Sequence, residues 1–192
     1  FVPALDNAGA WRRAGDGDAR FTVAVSHQGT LQVQSGTLSW VGGGSGGGSI
    51  AVDAGATLAL GGSVRLSGSG ALAGRVQLDV DGAGATLALD GAAWRFAGSG
   101  ATLDGAGTLA LRSGSLDFDA GARLAPAALT LQGGALRMNA GSQIAFPASL
   151  AIAGTAVTLS TGQGQRLDRS LQVSAGSLGG SDAFALGAGT LD

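Results

Sequence analysis

The 192-residue chain has no cysteine, no tyrosine, no lysine and no glutamate, and it carries one histidine and three prolines. Each absence excludes some chemistry. Without cysteine there are no disulfide staples and no thiolate metal sites, and a chain without disulfides suits passage unfolded across a bacterial envelope. A lone histidine, His27, excludes any multi-histidine metal site or histidine-rich catalytic cluster. With lysine and glutamate missing, all charge rests on 11 arginines and 13 aspartates, giving a net charge of -2 and a pI of about 5.2. No long-range field attracts phosphate, which argues against a nucleic-acid partner. No run of 18 apolar residues occurs, so no segment reads as a membrane-spanning helix. No initiating methionine or signal peptide precedes Phe1-Val2-Pro3-Ala4, which reads as a processed chain or a piece of a longer one.

What is present is glycine, 37 of them, together with 45% apolar residues and a mean hydropathy of +0.30. Disordered chains are poor in apolar residues, so this one has material for a core. One unit recurs from Gly29 onward: a glycine, one or two small residues, an apolar-x-apolar triplet, then a short polar stretch. Gly29-Thr30-Leu31-Gln32-Val33 passes into Gly36-Thr37-Leu38-Ser39-Trp40, and Gly100, Gly107, Gly114 and Gly121 stand seven apart. Further pairs are Leu58/Leu60, Val64/Leu66, Leu109/Leu111, Leu116/Phe118, Leu129/Leu131, Leu136/Met138, Leu150/Ile152 and Leu171/Val173. Apolar residues two apart share one face of a strand and send the residue between them to the other, here Gln32, Arg65, Gln77, Arg95, Asp117 and Arg137. Helix is excluded in bulk, because each interior glycine costs about 1 kcal/mol relative to alanine.

Turns about every seven residues are too frequent for sandwich strands, whereas three such segments make a coil of about 21 residues, in the solenoid range. The spacing therefore predicts an all-β fold, a right-handed parallel β-helix with roughly three strands per coil. Glycine suits its corners, where φ is often positive or a side chain would strike the next coil. Eight or nine coils at the usual strand spacing predict a rod of roughly 40 Å. Residues 1–20 read as an irregular first coil or cap, and 21–192 as a single solenoid belonging to a longer repeat or assembly. Gly42–Gly48 reads as a loose loop inside it. The longer intervals at 70–84, 121–134, 141–154 and 164–176 read as two strands without a corner glycine or as a bulging loop. Gly189-Thr190-Leu191-Asp192 opens one more unit and stops, which predicts continuation in a parent chain or a neighbouring copy.

Residues 29–44, Ala54-Gly55-Ala56-Thr57-Leu58 and Leu5-Asp6-Asn7-Ala8-Gly9-Ala10-Trp11 resemble the repeats of bacterial autotransporter passengers and filamentous-haemagglutinin-like surface proteins. The resemblance implies a right-handed β-helix, export to the cell surface, and a role as adhesin or stalk. The chain departs from that pattern in having only two asparagines, Asn7 and Asn139.

Several residues were candidates for chemistry. Asp79/Asp81 and Asp117/Asp119 are spaced as same-face acid pairs, but a lyase also wants a lysine or clustered arginines, and Arg75 and Arg112 could serve only by accident of stacking; the plainer reading is solvated strand ends. Asp79-Val80-Asp81-Gly82 opens like a calcium loop but lacks a further acid until Asp90, and Gly98–Asp104 matches a calcium-repeat pattern loosely. His27 has no nucleophile elbow to serve and reads as a surface residue at a strand end. Thr30, Thr37, Thr57, Thr86, Thr102 and Thr108 precede inward leucines and could form an outward ladder, although β propensity alone explains them. Trp11, Trp40, Trp94 and Phe96 fall at core positions. No residue is assigned a catalytic, cofactor-binding or metal-binding role. The function that follows is structural: an extracellular solenoid partnering itself head to tail, or glycans or proteins of a host or biofilm surface. A carbohydrate-binding module and a polysaccharide-cleaving β-helix are the alternatives.

Overall fold

Apolar pairs at spacing two fold, in a computed structural model, into short parallel strands wound as a β-solenoid of about seven turns. Residues 4–82, 84–145, 147 and 149–153 are described in full, and beyond them the backbone of five strands between 157 and 186. The first coil holds β1 (Ala4–Asn7), β2 (Ala10–Arg13) and β3 (Asp18–Phe21); the second β4 (Ala24–His27), β5 (Thr30–Val33) and β6 (Thr37–Trp40). The third holds β7 (Gly44–Gly46), β8 (Ser49–Val52) and β9 (Thr57–Leu60); the fourth β10 (Ser63–Leu66), β11 (Ser69–Leu72) and β12 (Arg75–Leu78). Next come β13 (Thr86–Leu89), β14 (Ala92–Phe96), β15 (Thr102–Leu111), β16 (Gly114–Phe118), β17 (Arg123–Leu131), β18 (Gly134–Met138) and β19 (Gln143–Ile144). After them follow β20 (Ser149–Ile152), β21 (Val157–Thr161), β22 (Gln165–Leu167), β23 (Gln172–Val173), β24 (Ser177–Gly180) and β25 (Phe184–Leu186).

Each strand pairs in parallel with the strand one coil away, which builds three faces. The second face runs β2-β5-β8-β11-β14-β16-β18-β21-β24 without interruption. The first face (β1, β4, β7, β10, β13) and the third (β3, β6, β9, β12) join into one hydrogen-bonded sheet because β15 and β17 turn the corner between them unbroken. No glycine marks that corner in β17, where Ala125-Pro126-Ala127 carries the chain round, so the long 121–134 interval is two strands fused. The register of β15 against β17 shifts between Gly105 and Thr108, where two residues of β15 oppose one of β17, a β-bulge. The 70–84 interval is a strand, β12, followed by a protruding loop. That loop lengthens the coil: Ala4 pairs with Ala24, 20 residues on, but Ser63 pairs with Thr86, 23 on.

Inward residues stack in columns. Val25, Gly44, Val64, Leu87, Leu109, Leu129 and Leu150 form one on the first face, and Leu38, Leu58, Val76, Leu103 and Leu124 one on the third. Nearly all of these are fully buried. On the second face Phe96 stacks flat on Phe118, ring centroids 4.6 Å apart, and Gly70 is a glycine because a Cβ there would lie 2.8 Å from the Trp94 indole. Trp40, Trp94 and Phe96 are core residues as their spacing predicts, while Trp11 is half-buried.

Glycine marks two corners for two different reasons. At the first, Gly29, Gly48 and Gly68 stand one above another, and a Cβ on any of them would strike the carbonyl oxygen of the glycine one coil back. At the second, Gly55 and Gly121 have φ of +82° and +83°, the left-handed region that glycine enters without strain.

Two expectations change. Residues 1–20, read as an irregular coil or cap, contain β1, β2 and most of β3, each in register with the next coil. Gly42–Gly48 is not a loose loop: β7 within it pairs with β4 on one side and β10 on the other. Its inward positions are glycine because Gly44 and Gly46 lie against the backbones of Val25 and His27. Residues 189–192 and Leu171, read as parts of further units, lie outside the described residues.

Candidate functional site

The four aspartates proposed as acid pairs do not converge. Asp79 and Asp81 follow the end of β12 in the protruding loop, and Asp79 has a φ of +60°. Its Oδ1 accepts a hydrogen bond from the Gly84 N–H at 3.0 Å, a local cap that holds the loop closed. Asp81 lies over Gly61 instead, so the two carboxylates are not same-face strand neighbours. Asp117 and Asp119 belong to the second face, around the end of β16. Asp117 accepts from Arg137 Nη1 at 3.2 Å; Asp119 accepts from Arg95 Nε at 2.7 Å and from the Asn139 amide at 2.9 Å. Arg75 pairs with Asp104 at 2.9 Å across the third face, which also accounts for the acid of the Gly98–Asp104 motif. These charges join one coil to the next. No cluster of three or more metal-ligating side chains occurs among the described residues.

His27 requires a correction. It is 1% exposed, not a surface residue, because it stands two positions after inward Val25 and so continues the inward alternation of β4. Its ring Nε2 lies 2.8 Å from where a Cβ on Gly48 would stand in the next coil, and the ring meets Trp40 edge-on at 6.5 Å. Both nitrogens have partners: Nδ1 lies 2.9 Å from Asn7 Nδ2, and Nε2 lies 3.1 Å from the Ser49 carbonyl. Since the Asn7 amide nitrogen, which also donates to the Thr30 carbonyl at 3.0 Å, can only donate, Nδ1 accepts and Nε2 carries the proton, which assigns a neutral imidazole. Burial lowers the His27 pKa below its ordinary value, and the Ser49 bond opposes this.

The threonines divide among the faces. Thr37 pairs with Thr57 on the third face and Thr86 with Thr108 on the first, while Thr30 stands on the second beside Ser49 and Thr102 between Arg75 and Arg123. They form no single ladder.

A groove of about 490 Å³ lies on the first face, lined by Gln28, Ser45, Gly46, Gly47, Arg65, Ser67 and Asp90. Its position follows from the coil register. Ser45 and Arg65 are outward neighbours on β7 and β10, and Gln28, Gly47, Ser67 and Asp90 each follow the last residue of a first-face strand. Arg65 and Asp90 form an ion pair on one wall, which Ser113 extends with a hydroxyl donated to Asp90 Oδ1 at 3.0 Å. The Arg65 hydrogen bond and then that of Ser113 hold the Asp90 carboxyl below the usual carboxylate range. On the other side, a Cβ on Gly47 would lie 3.2 Å from Gln28 Oε1 and 3.3 Å from Ser67 Oγ. Gly47 is therefore the floor between a carboxamide and a hydroxyl that stand close over it.

Sequence reasoning missed this site, because residues 28, 47, 67 and 90 come from four coils. The available signal was the corner position they share, one residue past each apolar pair.

No family model matches the chain, and no curated protein or solved structure matches it.

Proposed function

We propose that this chain is a structural and interaction protein, a length of extracellular β-solenoid serving as an adhesin, a stalk or a filament subunit that stacks end to end. The observation that carries this reading is the use made of the outward charges. On the second face Arg95, Asp117, Asp119, Arg137 and Asn139 spend their charges and amide on one another and so bridge successive coils, which stiffens a rod. The resemblance to autotransporter passengers and filamentous-haemagglutinin-like proteins supports export and a place on the cell surface. The dispersal of Asp79, Asp81, Asp117 and Asp119 weighs against a polysaccharide-cleaving β-helix.

Electron microscopy of the full chain over a range of concentrations tests the reading. Rods that lengthen with concentration identify a filament, since a head-to-tail contact that does not close keeps growing. Rods of one length at every concentration remove the filament and leave the adhesin or stalk. Particles without a long axis overturn the proposal.

A further inference from the structure

We propose that the first-face groove at Gly47 binds a neutral, hydroxyl-rich ligand, one or two pyranose units of a glycan. The inference rests on the reading of the chain as an interaction scaffold, and it names what one face of that scaffold takes.

The first ground is Gly47 itself. Of the glycines around it, Gly44, Gly46 and Gly48 are compelled, because a Cβ on each would collide with the carbonyl oxygen of Val25, His27 or Gly29. Gly47 is under no such constraint. Its φ lies outside the left-handed region, and a Cβ would meet only the far ends of two flexible side chains. No backbone atom forbids a side chain there, but Gln28 and Ser67 would have to give by a few tenths of an ångström, so its absence leaves room for both lining groups.

The second ground is the chemistry of the lining. Gln28 offers a donor and an acceptor, Ser45 and Ser67 a hydroxyl each, Arg65 a planar donor and Asp90 a carboxylate acceptor. A sugar hydroxyl both donates and accepts, so an array that mixes the two roles over a short span matches a run of adjacent hydroxyls. Arg65 and Asp90 neutralise one another, which removes the net charge that would select a phosphate, a carboxylate or an amine. No aromatic side chain lines the groove, so a nucleobase or other flat ring finds no stacking surface.

Third, two of the polar groups are available, while Ser67 donates to the Gly46 carbonyl at 3.4 Å and Arg65 and Asp90 hold one another, and the floor is rigid. Neither the Gln28 carboxamide nor the Ser45 hydroxyl bonds to another described residue, whereas the comparable outward Gln32 is drawn to Asp53 at 3.4 Å. The floor is the end of β7, paired on both sides, and Gly47 after it, whose N–H donates to the His27 carbonyl at 2.9 Å, so binding orders little backbone. A volume of about 490 Å³ falls within the span of small-molecule sites, roughly 300–1,000 Å³.

The test is a titration of the isotope-labelled full chain with neutral pyranose mono- and disaccharides, followed by amide shifts, with glycerol as the control for non-specific polyol effects. The expected result is saturable shifts confined to residues 28, 45–48, 65–68 and 90 for at least one saccharide and absent with glycerol. Gly47→Leu, which fills the groove, should abolish them. Gln28→Ala should weaken binding roughly tenfold, the loss of about one well-placed hydrogen bond. Gln28 is an exposed corner residue, so this variant decides the question if Gly47→Leu fails to fold. Absence of saturable shifts with every saccharide, or binding unchanged in the folded variants, overturns the inference. Rods in the micrographs that bind no saccharide reject the groove alone; the absence of rods rejects the underlying reading as well.

Discussion

At the scale of the residue, the glycine column at the first corner and the lone histidine make opposite demands. Gly68→Ala should destabilise the chain by about 1–3 kcal/mol, because its Cβ meets the Gly48 carbonyl and the coils must shift apart. Gly9→Ala, with nothing within 4 Å of the added carbon and no left-handed φ, should stay within about 0.5 kcal/mol. Urea unfolding of the two variants measures the contrast. For His27 the folded pKa lies below its ordinary 6.5, so the unfolded chain binds more protons between the two values. Stability attributable to the neutral ring is complete above about pH 6.5 and is lost as the pH falls from there towards the folded pKa. Melting temperature should therefore drop between about pH 7.5 and pH 5, and His27→Leu should flatten that slope whatever it does to stability at neutral pH. An unchanged slope in the variant would place the titration elsewhere. The inward position of His27 was legible, two residues after Val25. What misled was residue type: imidazole reads as a surface group until Asn7, 20 residues earlier, and Ser49, 22 later, are known to meet it.

At the scale of the element, strands defined by their side chains were readable and the strand defined by its backbone was not. The pairs Leu58/Leu60 and Leu116/Phe118 announce β9 and β16 through spacing alone. β7 has Ser45 as its only side chain and owes its existence to the strands on either side. Likewise, no composition cue distinguishes the corner in β17 from a strand that ends. The elements also separate strong contacts from weak ones. Phe96→Ala, which removes a fully buried ring stacked on Phe118, should cost about 3–5 kcal/mol. Asp119→Ala breaks its bonds to Arg95, whose side chain is 70% exposed, and to the Asn139 amide, both at the surface, and should cost about 1 kcal/mol. Thermal unfolding in low and high salt checks both, since only the second effect should shrink with added salt.

At the scale of the whole molecule, the period of about seven and the three-strand coil were legible because every coil repeats one packing problem. The groove was not, since register assembles it from residues 28, 47, 67 and 90. Stability in such a stack is a sum over neighbouring coils. Amide hydrogen exchange in the 192-residue chain should be faster at β1, β2 and β3, each paired on one side only among the described strands, than from β10 to β16, each paired on both sides. Uniform protection along the chain would indicate a single cooperative unit instead.

The parallel register has a mechanical consequence. Hydrogen bonds between coils run along the axis, so a pull on the two ends loads successive coil interfaces in series. Each interface is held chiefly by three short strand pairs and a column of side chains, and it opens like a zipper. A rod of this kind yields under tension one coil at a time. Where Ala4 pairs with Ala24 a step frees 20 residues, roughly 70 Å of extended chain. The molecule would then act as a shock absorber, paying out length in increments while the remaining coils stay folded.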